Sequence, residues 1–211
     1  MTGSRPGGHV GPELRDVSRE TLERLECHGA LLTKWNPRIN LVSASSLEEY
    51  WSRHILDSMQ LFSLRPADAY SWVDIGTGGG FPGLVVAIIA AEQQPWMRFT
   101  LVESDHRKAA FLSHAIRETG VAAHVTTARA EDTPPLGADV ISARAVAPLD
   151  RLLKLVERHL AAEGRALLPK GAAVADELRL ALEHWRFDLH KIPSVTNPGA
   201  TILSIGDLSR V

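Results

Sequence analysis

The chain has 211 residues, 45% of them hydrophobic and 23% charged, a balance that fits one ordinary globular domain and excludes disordered, collagen-like and fibrous proteins. Lys and Arg number 23 against 25 Asp and Glu, for a net charge of -2. The molecule is therefore not a polycation that holds nucleic acid by bulk charge, although a local basic face stays open. One cysteine, Cys27, excludes an intrachain disulfide framework and a Cys-rich metal centre, and it suits a reducing, cytoplasmic location.

Residues 1–12 hold four glycines and two prolines and no apolar stretch. They read as a disordered leader rather than a signal peptide. Leu14, Val17, Leu22, Leu25, Leu32 and Trp35 follow a three-and-four spacing that predicts an amphipathic helix over 13–35, ended by Pro37. Ser46-Leu47-Glu48-Glu49 reads as a capping box opening a second helix. Its apolar face is Leu47, Trp51, Ile55, Met59 and Phe62, and Pro66 closes it. The two helices make an N-terminal extension over 13–66 ahead of a domain over 67–211.

After residue 70 short β-rich runs alternate with helical stretches. Candidate strands are 71–75, 99–103, 122–126, 138–143 and 165–169, with helices over 82–93, 106–118 and 149–161 between them. A helix over 172–185 and strands over 187–192 and 200–205 follow. The alternation predicts an α/β fold whose mostly parallel, seven-stranded sheet is covered on both faces. The longest apolar run, 84–91, is eight residues, far short of the roughly 18 that a membrane helix needs.

The most informative segment is Trp72-Val73-Asp74-Ile75-Gly76-Thr77-Gly78-Gly79-Gly80-Phe81-Pro82-Gly83. An apolar strand runs into an acid and then four glycines in five residues, which lets the backbone turn sharply and approach a ligand closely. Gly78-x-Gly80-x-x-Gly83 matches the dinucleotide fingerprint, but it begins two residues later than that fingerprint should after a strand, and a lone match is weak. The better description, Asp-x-Gly-x-Gly-x-Gly from Asp74 to Gly80, resembles the first motif of the class I S-adenosylmethionine (SAM) methyltransferases, a Rossmann-like fold. That resemblance implies that the loop packs against the methionyl part and ribose of SAM. It further implies that an acid ending the next strand, here Glu103, takes the ribose hydroxyls, and that Ala130 and Glu131 after the third strand meet the adenine.

The acceptor is read at the fourth strand, Val140 to Pro148. It lacks the Asn/Asp-Pro-Pro-aromatic motif that holds an exocyclic amine. Cys27 lies in the first helix, away from any place where a cysteine nucleophile would act, and no His/Asp cluster suggests a metal. Without an obvious base, nucleophile or metal, an acceptor that is already nucleophilic fits best. Guanine N7 is one, because its lone pair lies outside Watson–Crick pairing.

Ser142-Ala143-Arg144-Ala145-Val146-Ala147 resembles the strand-four signature of the bacterial small-subunit rRNA guanine-N7 methyltransferase G family, also called glucose-inhibited division protein B. The stretches from Trp35 to Val42 and from Arg53 to Met59, the loop from Gly76 to Gly83, and Lys170-Gly171 are similar to further signatures of that family. The likeness covers about residues 20–200. It implies SAM as cosubstrate, no metal, and a guanine (guanine 527) in the 530 loop of 16S rRNA within the small subunit as substrate. By position, Gly76, Phe81, Ala130, Glu131 and Arg144 are the SAM contacts, joined by Asp74, Gly78, Gly80 and Glu103 from the loop and second strand. Arg144 positions cofactor or substrate, and Arg38, Arg53, His54 and Lys170 are candidates for RNA contact. Arg53 and Asp57, four apart on a helix, also suit a surface ion pair. A monomer is expected. A small-molecule methyltransferase and a non-catalytic SAM-binding module stay open as alternatives.

Overall fold

A computed structural model describes residues 17–211. The leader expected over 1–12 and residues 13–16 of the first predicted helix lie outside them.

Helix α1 spans Arg19–Ile39, and the Ser18 hydroxyl caps it by accepting from the Thr21 amide at 3.2 Å. Pro37 does not end it, contrary to the sequence expectation, but sits in the last turn. Its fixed φ is already helical, and the carbonyl it leaves unpaired, that of Thr33, lies on the same exposed side. The stop comes from asparagines instead. The Asn36 side-chain oxygen accepts from the amides of Leu41 (2.7 Å) and Val42 (2.9 Å), while Asn40 takes a left-handed φ of 50°. Gly29 in mid-helix has a packing cause, since a Cβ there would lie 2.8 Å from the Tyr50 ring.

The second helical segment is α2 (Ala44–Glu48), a π-helical turn (Tyr50–Leu56) and α3 (Asp57–Ser63). The expected capping box at Ser46 is corrected: Ser43 is the cap, accepting from the Ser46 amide at 3.2 Å. The apolar positions 47, 51, 55 and 59 step by four, wider than the 3.6 of an α-helix, and the π turn absorbs the difference.

The sheet strands are β1 (Ser71–Ile75), β2 (Arg98–Glu103), β3 (Ala123–Thr127), β4 (Ala138–Ala143), β5 (Leu160–Lys170), β6 (Trp185–Pro193) and β7 (Thr201–Arg210). Helices α4 (Gly83–Gln93), α5 (His106–Thr119), α6 (Leu149–His159) and α7 (Val174–Ala181) connect them. The order is β3-β2-β1-β4-β5-β7-β6, with β1 to β5 parallel and β7 antiparallel to both neighbours. The chain leaves β1 toward β2 and β3, then returns to place β4 on the other side of β1. That reversal opens a crevice at the carboxyl ends of β1 and β4, where ligands of open α/β sheets bind.

Two apolar clusters fill the faces of the sheet. One joins Leu84, Ile88 and Phe111 to Leu25, Leu32, Ile55 and Phe62, so the N-terminal helices share the core of the α4–α5 side. Helix α4 is consequently covered all round, which accounts for its unbroken buried run from Leu84 to Ala90. The other cluster packs Val73, Ile141, Leu153, Val156 and Trp185 beneath α6 and α7.

Candidate functional site

The glycine loop leaves the end of β1 with φ values of 67°, 55° and 92° at Gly76, Gly78 and Gly80, all in the region that favours glycine. The Gly78 amide donates to Glu103 Oε2 at 2.9 Å, and the Asp105 amide donates to Glu103 Oε1 at 2.9 Å. Beside Gly78 there is room: the nearest atom to a Cβ there would be the Gly76 carbonyl oxygen at 3.9 Å. At Gly76 a Cβ would strike Val146, just past the end of β4.

Asp74 sits behind this loop with its side chain fully buried. It accepts from the Gly83 amide at 3.0 Å and from the Ser142 hydroxyl at 2.6 Å, which ties β1, α4 and β4 together. Burial raises its carboxyl to about 6, against the pull of those donors. Phe81 is buried as well. Its ring stacks on His54 with centroids 4.4 Å apart and has the Arg144 guanidinium 5.2 Å from its centre. Asp74 and Phe81 thus shape the loop from within, while Gly78 faces open space.

Ala130 and Glu131 lie on a short 3₁₀ turn (Ala130–Asp132) after β3. The Ala130 carbonyl accepts from Nε2 of His159, a fully buried residue of α6, at 2.9 Å. Glu131 is exposed beside Arg129. His159 was missed from sequence, because a lone histidine ending a helix carries no local sign of a partner 29 positions away.

Arg144, at the end of β4, is clamped by the π turn. One guanidinium nitrogen donates to Asp57 Oδ2 (3.2 Å) and to the Arg53 carbonyl (3.0 Å), and the other donates to His54 Nδ1 (2.9 Å). The Arg53–Asp57 pair anticipated from their spacing is therefore corrected: Asp57 pairs with Arg144, and Arg53 pairs with Glu49 at 3.7 Å. The same spacing suits either partner, and only the approach of β4 chooses. Burial, reinforced by Arg144 and Arg53, lowers His54 to about 3. Neutral His54 accepts at Nδ1, so its hydrogen is on Nε2, a buried atom without a partner among the described residues.

Of the remaining basic candidates, Arg53 and Arg38 are exposed, Arg38 in the last turn of α1. Lys170 turns inward, with its side chain 9% exposed, and donates to Glu177 (2.7 Å) and the Ala147 carbonyl (3.1 Å). Its charge is met within the chain.

Between the π turn, the end of β4 and the loop joining β6 to β7 lies a cavity of about 1050 Å³. Arg53, His54, Asp57 and Arg144 line one side of it, and Ser194, Thr196 and Asn197 another. The glycine loop and Glu103 lie on the β1–β2 side of Arg144, and the cavity lies on the β5 side. Among the described residues no three His, Cys, Asp or Glu side chains converge as a metal site requires, and no helix is long and apolar enough to cross a membrane.

This sheet order, with its antiparallel seventh strand and its glycine loop at the reversal, is the fold of the class I SAM-dependent methyltransferases. Solved structures agree. A TehB-like SAM-dependent methyltransferase from Corynebacterium glutamicum superposes with a TM-score of 0.56 at 14% identity, over 77% of this chain and 95% of that one. TYW2 from M. jannaschii, solved in complex with AdoMet, gives 0.55 at 14% identity, over 83% and 80%.

The chain belongs to a narrower group within that class, the family described as rRNA small subunit methyltransferase G, whose model matches residues 21–202. A protein of Ruegeria sp. (strain TM1040) named ribosomal RNA small subunit methyltransferase G is 54% identical over 196 residues, 93% of this chain and 95% of that one. Its namesake from Ruegeria pomeroyi is 52% identical over 93% and 96%.

Proposed function

We propose that this protein is a SAM-dependent methyltransferase that methylates N7 of a guanine in the 530 loop of 16S rRNA, guanine 527. The observation that carries this reading is the pairing of two spaces across Arg144: an open glycine loop backed by Glu103, and a cavity of about 1050 Å³ beside it, ample for a nucleotide. Family membership supports a small-subunit rRNA acceptor.

The residues suit the cosubstrate. The Gly78 side leaves space for a ligand, and the Glu103 carboxylate, with two of about four acceptor positions used, retains capacity for two ribose hydroxyls. SAM supplies an electrophilic methyl carried on a sulfonium. The guanine N7 lone pair forms the new N–C bond as the S–CH₃ bond breaks, its electron pair staying on sulfur, and no proton leaves the acceptor. His54 agrees with a step that needs no base, since its Nδ1 lone pair is taken by Arg144 and its Nε2 bears the hydrogen. The base becomes cationic in the product. The Arg144 charge already has Asp57 as partner, so it does not add an unpaired positive charge to the cavity wall. Proximity and alignment then carry the rate. Arg53 and Arg38, both exposed, guide phosphates.

Purified small subunits lacking the modification, incubated with the protein and isotope-labelled SAM, test the proposal by mass spectrometry of the rRNA. The expected result is 7-methylguanine in the 530 loop. The inward pairing of Lys170 favours a second reading, a small-molecule acceptor, and label in the small-molecule fraction with none in rRNA would establish it.

A further inference from the structure

Besides the packing of Leu32 on Gly79, the first helix reaches the glycine loop through a polar side chain that no signature singled out. His28 of α1 is fully buried, and its Nε2 lies 2.8 Å from the Gly79 carbonyl oxygen. A carbonyl only accepts, so Nε2 carries the hydrogen. Nδ1 lies 3.2 Å from the Tyr50 hydroxyl, which donates its hydrogen to the Leu25 carbonyl at 2.8 Å. Burial lowers His28 to about 4, so the ring is neutral and has one N–H to give, which Gly79 receives.

The other ties on the loop come from within the β1–α4–β2 unit that carries it. The Gly76 and Thr77 amides donate to the Val102 carbonyl, Gly78 to Glu103, and Gly80 and Phe81 to the Thr77 carbonyl. The tie on Gly79 comes from outside that unit. Packing reinforces it: a Cβ on Gly80 would sit 3.1 Å from His28 Nε2, and the Phe81 ring is 5.2 Å from the imidazole.

We infer that His28 is a positioning residue of the cofactor loop, holding Gly79 through its Nε2–H. The inference rests on the reading of this loop as a SAM cradle. It makes the N-terminal helices part of the cofactor site as well as of the RNA-facing side. A loop with three glycines at positive φ has much backbone freedom to lose, and a bond to the intervening Gly79 removes part of that freedom before the ligand arrives.

The test compares His28→Gln with His28→Met in the full chain. The two side chains are similar in length, and only the Gln amide has an N–H that can replace the one from His28 Nε2. SAM affinity by calorimetry is expected within about three-fold of wild type for Gln and weaker by about ten-fold for Met. Turnover at saturating SAM should stay within about two-fold for both, so the change falls on KM rather than kcat. A purely structural His28 would lower the melting temperature of both variants without separating their affinities; equal SAM affinity in folded Gln and Met variants overturns the inference. If the Met variant does not fold, nitrogen NMR of the wild-type imidazole decides: the ring hydrogen is expected on His28 Nε2, and a hydrogen on Nδ1 instead overturns the inference. A wild-type protein that binds no SAM refutes the cradle reading itself, a separate result.

Discussion

Glu103 holds the glycine loop with its carboxylate. Each oxygen receives one backbone amide, from Gly78 and from Asp105, and the remaining lone pairs are those a ribose diol needs. Hydrogen bonds to a charged group contribute about 1.5–3 kcal/mol each, so Glu103→Ala is expected to weaken SAM binding by ten-fold or more. Calorimetry measures this directly, and a folded variant with wild-type affinity would remove the role. His54 supports a second prediction at this scale. Already neutral above about pH 4, with its lone pair engaged, it has no proton to take in the working range. Single-turnover methyl transfer at saturating SAM and RNA should therefore be flat from about pH 6 to 9. A log-linear rise of slope one that disappears in His54→Phe would establish a general base and end the direct-transfer account.

At the scale of elements, the segment from Ser43 to Ser63 decides how the two halves of the site meet. Its π turn and the first residue of α3 present the Arg53 carbonyl, His54 and Asp57 together to Arg144. The start of that segment depends on Ser43, not Ser46. Removing a serine cap costs about 0.5–2 kcal/mol, so Ser43→Ala should lower unfolding stability by about 1 kcal/mol. Ser46→Ala, which loses only a hydroxyl donated to the Ser43 carbonyl, should cost less than half of that. Urea denaturation of both variants checks the order, and the reverse order would restore the capping box read from the sequence. That box misled because Ser-x-x-Glu is satisfied by pattern alone, while the register of a cap depends on where the preceding chain turns. Here that turn is set three residues earlier by Asn40 and the Asn36 side chain.

For the whole molecule, charge and protonation are the useful quantities. On the proposed reading, a chain of net charge -2 binds RNA through local contacts rather than bulk charge. Each contact displaces counterions, so log affinity should fall against log salt by about 0.7–0.9 per phosphate contact. Arg53→Ala should reduce that slope by about one contact. Filter binding to small subunits across a salt series measures both, and a flat wild-type response would favour the small-molecule reading. Stability should fall on acidification. His28 and His54 resist protonation in the folded state, at about 4 and about 3 against 6.5 in the open chain, whereas buried Asp74 holds its proton to about 6 against 3.8. Between about pH 4.5 and 6, unfolding takes up two histidine protons and releases one from Asp74, a net uptake of one. Stability is therefore lost as pH falls, by about 1.4 kcal/mol per unit. Urea melts at pH 6 and 5 test the sign; equal or higher stability at pH 5 contradicts it.

Local chemistry determined much of this protein. The strand–glycine–helix unit at Asp74–Gly83, the acid ending β2, the turn at Ala130 and the strand-four arginine are all contiguous patterns, and contiguous patterns survive in a one-dimensional reading. Strands at 71–75 and 138–143 were legible to the residue, because buried parallel strands are short apolar runs between turn residues. What tertiary structure alone decided was partnership. Asp57 meets Arg144 rather than Arg53, Lys170 is spent on Glu177, His159 braces Ala130, and His28 reaches Gly79. A charged or hydrogen-bonding side chain has many admissible partners along a sequence. It acquires one only when distant segments are packed close enough for burial to penalise leaving it alone.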